Sequence, residues 1–257
     1  MLWSNHILRG GLLALSAICL SSTAHAAIII DQLSLFQKVF VPDGNVGGTG
    51  TIATGTRADV GDTFLGPDRE MFVQRVSNAV SDNDVALTVA GGLLRYTSSD
   101  TTQGRGRVVY DGVSGDGVIA NFGDAPDNYG LALDLSNFYK IRVVASTDSH
   151  SIPFSVTLYS TATKYATGSI VLQTVNGVPQ NYAIYFANFT PVGDTLGNIL
   201  SNVNALSLAF NANYSGEIGA DATVSLLEFT QIPEPATLAL VGLSLFGVTV
   251  LRRKLRA

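Results

Sequence analysis

The sequence predicts an all-β protein, folded as a two-sheet antiparallel β-sandwich that is flanked by an N-terminal signal peptide and a C-terminal transmembrane helix. Runs rich in Val, Ile, Tyr, Phe and Thr recur through residues 27–231, and clusters of Gly, Asn, Asp, Ser and Pro separate them, which is the strand-and-turn pattern of a sandwich. Residues 154–159 and 206–211 alternate apolar and polar side chains, as a strand with one buried face does. Each terminus instead carries a continuous apolar run beside basic residues.

The predicted strands share β-branched and aromatic composition and are bounded by turn residues. They are residues 28–40, 71–76, 85–89, 93–97, 107–110, 131–135, 140–145, 154–159, 169–174, 182–186, 205–211 and 223–229. Residues 41–66 are rich in Gly, Thr and Asp and poor in large apolar groups, which predicts a long loop or an irregular hairpin. A short helix is predicted within residues 196–203. About 200 residues can bury one hydrophobic core, so we expect a single domain over residues 27–231.

Residues 1–26 have the features of a secretory signal peptide. Arg9 precedes an apolar stretch, and Ala24 and Ala26 are the small residues that signal peptidase requires before the bond it cleaves. We therefore expect signal peptidase to cleave before Ala27, and the chain to be exported across the inner membrane.

Loss of the signal peptide limits the chemistry that the exported chain can perform. Cys19, Trp3 and two of the three histidines leave with residues 1–26, so His150 is the one histidine that follows. No disulfide, thiol nucleophile or zinc site of Cys and His ligands can form from what remains. Cys19 also allows a lipoprotein alternative, which the bulky Ile18 before it opposes, because lipoprotein signals have a small residue there.

Charge is distributed unevenly along the chain. Residues 27–232 contain 10 of the 15 basic residues and 19 of the 20 acidic residues, which gives this region a net charge of −9. Nucleic-acid binding requires a basic footprint, so nucleic acid is excluded as a partner. An acidic surface suits solubility outside the cell and opposes contact with anionic polymers.

Residues 232–257 combine a proline motif, an apolar run and a basic tail. These parts are Pro233, Glu234 and Pro235, then residues 236–251, then residues 252–256, which begin with Arg252 and Arg253. A helix over the apolar run would be about 24 Å long, at about 1.5 Å per residue, so it would span a bilayer marginally. Because basic residues stay in the cytoplasm, we expect the rest of the chain to lie on the other side.

This arrangement resembles the PEP-CTERM sorting signal. Exosortases recognise that signal; they are membrane-embedded, cysteine transpeptidase-like enzymes of Gram-negative bacteria that make exopolysaccharide. The resemblance implies that the chain is an exosortase substrate, that Pro233, Glu234, Pro235, Arg252 and Arg253 form its sorting motif, and that the catalytic groups belong to the partner. It also implies transient anchoring by the C-terminal helix, followed by delivery to the cell surface or extracellular matrix. The alternative is an ordinary tail anchor behind a proline linker.

The middle region resembles jelly-roll sandwiches of the galactose-binding-like or carbohydrate-binding-module kind. The resemblance rests on Asp31 after an Ile-rich opening strand, on the Gly91-Gly92 turn into a strand, and on residues 133–136 and 221–229. It implies the jelly-roll type of sandwich rather than a function, because sandwiches host many unrelated roles.

Three functions remain open for the sandwich: a structural matrix component, a carbohydrate-binding module and an enzyme. We expect a structural component of the matrix, linked to exopolysaccharide or biofilm, rather than an enzyme. The alternative is a lectin-like carbohydrate-binding module with a groove lined by tyrosine, whose ring stacks on sugars. A glycosidase would need two converging carboxylates. The tyrosines considered for stacking are Tyr96, Tyr110, Tyr129, Tyr159, Tyr165, Tyr182, Tyr185 and Tyr214.

No cofactor is expected, although two acidic clusters have the oxygen-rich composition that calcium favours. Asp82 and Asp84 flank an asparagine, and Asp111 and Asp116 lie in a glycine-rich turn. Neither cluster has the spacing of a calcium loop that ends in a distant bidentate glutamate, and acidic glycine-rich turns are common without metal. They are weak calcium candidates.

Overall fold

The computed structural model contains two antiparallel β-sheets of seven strands each, which confirms the predicted sandwich. The structure describes residues 27–41, 49–53, 65–66, 69–76, 85–100, 102–112, 121–148, 150–173, 177–212 and 219–231. The two sheets belong to one unit, Ala27–Thr230. No helix in these ranges is long and apolar enough to cross a membrane.

The first sheet has seven strands and is formed from both ends of the sandwich sequence. From edge to edge it contains β11 (Gln180–Tyr185), β8 (Phe138–Thr147), β14 (Ala222–Gln231), β6 (Leu93–Ser98), β5 (Val85–Ala90) and β2 (Gln37–Val41), and β1 (Ala27–Ile29) pairs with β14. Neighbours in space are therefore often distant in sequence, as β6 and β14 are.

The second sheet also has seven strands. Its order is β12 (Thr190–Val192), β10 (Lys164–Leu172), β9 (Ile152–Thr161), β13 (Ala205–Phe210), β7 (Gly104–Tyr110), β4 (Glu70–Arg75) and β3 (Thr49–Ala53). A 3₁₀ turn (Phe186–Asn188) precedes β12, and helix α1 (Leu196–Leu200) follows it. The side chain of Thr195 caps α1 by accepting a hydrogen bond from the Asn198 amide.

The apolar faces of the two sheets meet in one core. The ring of Tyr96 in β6 stacks on that of Phe210 in β13 at a centroid distance of 5.5 Å, and Phe154 packs edge-on against Phe210 at 5.0 Å. The sheets approach closely at β7 because Gly106 faces β5: an added Cβ would lie 2.9 Å from Cγ of Leu87. The core is close-packed, so water is excluded from the inner faces of both sheets.

A buried ion pair fastens the N-terminal turn to the core. Arg69 Nη1 donates to Asp31 Oδ2 at 2.6 Å, and the Tyr110 hydroxyl donates to the same oxygen at 2.7 Å. Arg69 Nε also donates to Oε1 of Gln37 at 2.8 Å. Burial raises the pKa of Tyr110 well above its usual value, and the charge of Asp31 raises it further, so Tyr110 remains a hydrogen-bond donor.

Several predicted boundaries are wrong. Residues 28–40 form two strands, β1 and β2, because the chain turns between them with Leu33 at a φ of +57°. Residues 131–135 form no strand; Leu133 makes an isolated bridge with Val203 instead, and Ala132 has a φ of +51°. Helix α1, Leu196–Leu200, lies within the range predicted for a short helix. The short strands β3 and β12 were not predicted.

The predicted signal peptide and transmembrane helix lie outside the described residues, as residues 1–26 and 232–257 both do. The division of the chain into these segments and the sandwich stays a prediction.

Candidate functional site

The outer face of the second sheet carries a groove of about 680 Å³, crossed by β10, β9, β13 and β7. Alternation along β9 places its polar side chains there: Ser155, Thr157 and Tyr159 are half-buried on the groove side, whereas the residues between them are fully buried in the core. A β-strand has a side-chain period of two, so the same segment supplies core and site.

Hydroxyl groups from three neighbouring strands line the groove. Ser155 and Thr157 of β9 are opposite Ser169 and Thr167 of β10, and Thr157 is also opposite Ser207 of β13. The hydroxyls of Thr157 and Thr167 are 3.0 Å apart and share a hydrogen bond. A hydroxyl both donates and accepts, so this surface can match the hydroxyls of a polyhydroxylated ligand.

Three tyrosines form an aromatic cluster that reaches the groove through Tyr159. The Tyr159 ring lies 5.5 Å from that of Tyr165 and 6.5 Å from that of Tyr129, measured between centroids. Burial raises the pKa of Tyr159 and of Tyr129, so both phenols keep their protons at neutral pH. The Tyr129 hydroxyl is buried and has no hydrogen-bond partner in the described part of the chain.

Two arginines of β7 form the opposite side of the groove. Arg105 donates from Nε and Nη2 to Oε1 of Gln74, and its guanidinium carbon lies 4.1 Å from the ring centroid of Phe122. Arg107 donates from Nε to the Ser207 hydroxyl at 2.8 Å and from Nη1 to the Phe122 carbonyl at 3.0 Å. These contacts fix both guanidinium groups and hold the loop at Phe122 against the sheet.

Arg107 is a buried charge whose hydrogen-bond acceptors are neutral. It is 3% exposed, and its third acceptor is the Asp124 carbonyl. Burial lowers the pKa of Arg107, whereas electrostatic interactions with Tyr159, Asp124 and Glu70 oppose that shift. Its Nη2 has no hydrogen-bond partner among the residues described.

The groups that line the groove are ones that can bind a polar ligand. It offers hydroxyls, a tyrosine ring and two guanidinium groups, whereas none of its described lining residues has a carboxylate. Glycoside hydrolysis requires a pair of carboxyl groups at the scissile bond. The described lining therefore has groups that can contact a sugar.

The structure places few of the predicted site residues. Asp111 is buried, and its carbonyl oxygen accepts a hydrogen bond from the Gly130 amide; Asp82, Asp84 and Asp116 lie outside the described residues. Within the described ranges, no group of three or more His, Cys, Asp or Glu side chains could hold a metal ion.

The terminal residues proposed for processing are also mostly undescribed. Pro233, Glu234, Pro235, Arg252 and Arg253 of the sorting motif, and Ala24 and Ala26 of the cleavage site, lie outside the described ranges. Ala27, the expected first residue after cleavage, is exposed at the start of β1.

The tyrosines considered for stacking divide into different environments. Tyr96 and Tyr110 are fully buried in the core, and Tyr185 is 45% exposed on the first sheet. Tyr182 bonds through its hydroxyl to the backbone of Gln173. Tyr159 is the tyrosine that lines the groove, and Tyr214 is not described.

The sequence interpretation missed the arginines of the groove. Their signal is the run Gly104-Arg105-Gly106-Arg107. In a strand, this run directs both glycines to one face and both arginines to the other. The glycines allow the sheets to approach, and the arginines face outward into the groove.

Comparison with known proteins identifies the C-terminal segment of the chain. Residues 231–254 match the PEP-CTERM protein-sorting motif, which confirms the predicted signal. No curated protein matches the chain in sequence.

Among solved structures, the family 11 carbohydrate-binding module of the cellulosomal cellulase Lic26A-Cel5E of Clostridium thermocellum is similar, with 13% identity and a TM-score of 0.38 over 83% of this chain and 98% of that one. An agarase is 11% identical, with a TM-score of 0.40 over 58% of this chain and 22% of its own. A putative glycoside hydrolase from Bacteroides vulgatus is 10% identical, with a TM-score of 0.32 over 76% and 98%. Similarity at this level assigns no function.

Proposed function

We propose that this chain is an exported protein that an exosortase delivers to the cell surface or extracellular matrix, where its sandwich binds carbohydrate through the groove on the second sheet. The match of residues 231–254 to the PEP-CTERM motif supports the delivery. The groove supports the binding, because Tyr159 and the row of hydroxyls provide aromatic and hydrogen-bonding groups for sugars. Surface delivery and carbohydrate binding together fit a role in exopolysaccharide or biofilm.

Delivery would begin with export and cleavage by signal peptidase before Ala27, leaving the chain held in the inner membrane by residues 236–251. Pro233 and Pro235 restrict the backbone to an extended conformation, which presents Glu234 to the exosortase outside the bilayer. Cleavage near this motif then releases the sandwich or transfers it to another anchor. The chain itself supplies no catalytic group for this step.

The sorting step is tested by replacing Pro233, Glu234 and Pro235 with alanine. We expect the protein to remain in the inner-membrane fraction, because the exosortase no longer recognises it, while a Lys254→Arg control, which keeps the basic tail, is released as the original chain is. Release of the alanine variant in equal amount would disprove the sorting proposal.

The binding step is tested by affinity electrophoresis of the detergent-solubilised full chain on immobilised neutral and acidic polysaccharides. Tyr159→Ala removes the groove ring, and we expect it to weaken binding at least about tenfold, as loss of a central aromatic anchor does. Tyr185→Ala removes an exposed ring from the first sheet and is expected to leave binding unchanged. If the original chain is retained by none of the polysaccharides, the sandwich is a structural matrix component without a sugar site.

A further inference from the structure

The last strand of the first sheet ends where the sorting motif begins. Strand β14 runs to Gln231, and the match to the PEP-CTERM motif covers residues 231–254. An extended chain spans at most about 3.6 Å per residue, so the segment from Gln231 to Ala236 reaches at most about 18 Å. The Gln231 end of the first sheet therefore stays close to any bilayer that holds residues 236–251.

Contacts between β8 and β14 show which residues of β8 reach this end. These contacts join Asp148 to Asp221, Val144 to Ser225, and Arg142 to Glu228. Earlier residues of β8 are therefore beside later residues of β14, so Tyr139 and Lys140 lie at the Gln231 end. Tyr185 of β11 lies there too, because it is opposite Lys140 in the sheet.

Tyr139, Lys140 and Tyr185 form one aromatic and basic cluster. The centroids of the two tyrosine rings are 6.1 Å apart. The Lys140 Nζ lies 5.1 Å from the centroid of the Tyr139 ring and 6.0 Å from that of the Tyr185 ring. Tyr185 is 45% exposed, and the other two residues are partly exposed. The cluster is accessible to a partner at this end of the sheet.

The composition of the cluster suits a lipid headgroup layer. Tyrosine is enriched at membrane–water interfaces, where its ring is at the level of the headgroups. Lysine places its stem along apolar surface and its ammonium group in the polar layer, and basic side chains are attracted to anionic lipid. The described strand residues of this end, 27–28, 138–140, 184–185 and 229–231, include Lys140 and no Asp or Glu.

The opposite end of the first sheet is acidic. Asp148 follows β8, and its amide donates a hydrogen bond to the carbonyl of Asp221, which precedes β14. Burial raises the pKa of Asp221, and the charges of Asp148 and Asp100 raise it further. An anionic surface therefore repels that end of the sheet and attracts the Gln231 end.

We propose that the Gln231 end of the first sheet rests on the headgroup layer of an anionic phospholipid bilayer while residues 236–251 anchor the chain. Tyr139 and Tyr185 lie among the headgroups, and Lys140 contacts the phosphates. This inference rests on the proposed function, because it requires the membrane-anchored stage that precedes cleavage by the exosortase. The contact limits rotation of the sandwich and so holds the sorting motif at a fixed height above the bilayer.

Tryptophan fluorescence tests the contact, because Trp3 is the one tryptophan of the chain. In a full chain that carries Trp3→Phe, Tyr185→Trp places a single tryptophan in the cluster, and Tyr139→Trp is a second reporter. Each variant is reconstituted into vesicles of phosphatidylglycerol and phosphatidylcholine, with or without bromine on the acyl chains near the headgroup. Bromine quenches tryptophan only at short range, so the loss of fluorescence measures contact with the bilayer.

Two controls use other aromatic positions of the same chain. Phe40 is 47% exposed on the first sheet. Pairing through β5 and β6 places it near the Ala222 end of β14, about 30 Å from Gln231 along the strands at about 3.3 Å per residue. Phe40→Trp is therefore the negative control. Phe246→Trp, within the proposed membrane anchor, is the positive control.

The outcomes separate this inference from the proposed function. We expect bromine to quench Tyr185→Trp and Tyr139→Trp and to leave Phe40→Trp at its original intensity. Quenching of Phe246→Trp without quenching at either cluster position overturns this inference and leaves the proposed anchoring intact. Equal quenching of Phe40→Trp and the cluster variants also overturns it, since the contact would then not belong to one end. Absence of quenching in Phe246→Trp overturns the membrane-anchored stage of the proposed function itself.

The role of charge is tested in the Tyr185→Trp chain. Lys140→Gln is expected to reduce quenching in vesicles that contain phosphatidylglycerol, and replacing that lipid with phosphatidylcholine should have the same effect. Lys38→Gln removes an exposed charge from β2, beside the Phe40 ring, and is expected to leave quenching unchanged. Quenching that neither Lys140→Gln nor the change of lipid affects would contradict a contact assisted by charge.

Discussion

Replacing Arg69 with methionine is expected to lower the free energy of unfolding by about 3–5 kcal/mol, the cost of leaving a buried charge without its partner. Arg69 and Asp31 are 1% and 2% exposed, and the change removes the 2.6 Å contact between them together with the bonds from Arg69 to Gln37 and to the Leu35 carbonyl. Asp31 still accepts hydrogen bonds from the Tyr110 hydroxyl and from a backbone amide, but these donors do not balance its charge.

Urea unfolding measures this loss. With a slope of about 1–3 kcal/mol per molar urea, the midpoint should fall by at least about 1 M. Arg142→Met is the matched control, because Arg142 pairs with Glu228 at 3.0 Å with its side chain 42% exposed, and such a pair contributes at most about 1 kcal/mol. Adding Asp31→Asn to Arg69→Met should recover part of the loss, since both charges are then gone. If Arg69→Met and Arg142→Met lost equal stability, the ion pair would not fasten the fold as described.

Two further changes test packing and local electrostatics. Gly168→Ala should cost about 1–3 kcal/mol by the same assay, because its Cβ would lie 2.3 Å from the Phe189 ring; Gly197→Ala, which meets no atom within 4 Å, should not destabilise the protein. In a carbon NMR titration the pKa of Asp194 should be about 2, lowered mainly by the hydrogen bond from Asn198 and also by Lys164, and Asn198→Ala should raise it. The pKa of an aspartate in the unfolded chain is about 3.9, so the contribution of the Asp194 carboxylate to stability is complete above that pH and is lost as the pH falls towards 2. An unchanged pKa of Asp194 in Asn198→Ala would contradict the assignment.

The two-sheet class and much of the strand content were predictable because they depend on local patterns. The alternation over residues 154–159 identified both the strand and the buried face of β9. The pattern failed where tertiary contacts decide the backbone: residues 131–135 are apolar enough for a strand, yet only Leu133 is bridged, to Val203. The Asp31 side chain accepts a hydrogen bond from the Leu33 backbone amide at 2.6 Å. The chain therefore turns within residues 28–40, which the sequence pattern predicted as one continuous strand.

The candidate groove could not be read from the sequence as a site. Arg107 and Ser207 are 100 residues apart and hydrogen-bond across neighbouring strands. The spatial order of the strands, which places β13 between β7 and β9, follows from no local pattern. The tyrosines were considered together, but the fold separated core Tyr96 from groove Tyr159.

The sequence alone determined the sorting motif at residues 231–254 and the sandwich class, because a linear signal and a period-two pattern are both properties of contiguous residues. Only the tertiary structure decided that the outer face of one sheet is a basic, hydroxyl-lined groove on an acidic domain. The physical reason is that sheet pairing joins strands that are distant in sequence, so Arg105 and Arg107 of one strand meet hydroxyls of another, such as that of Thr167, only after folding.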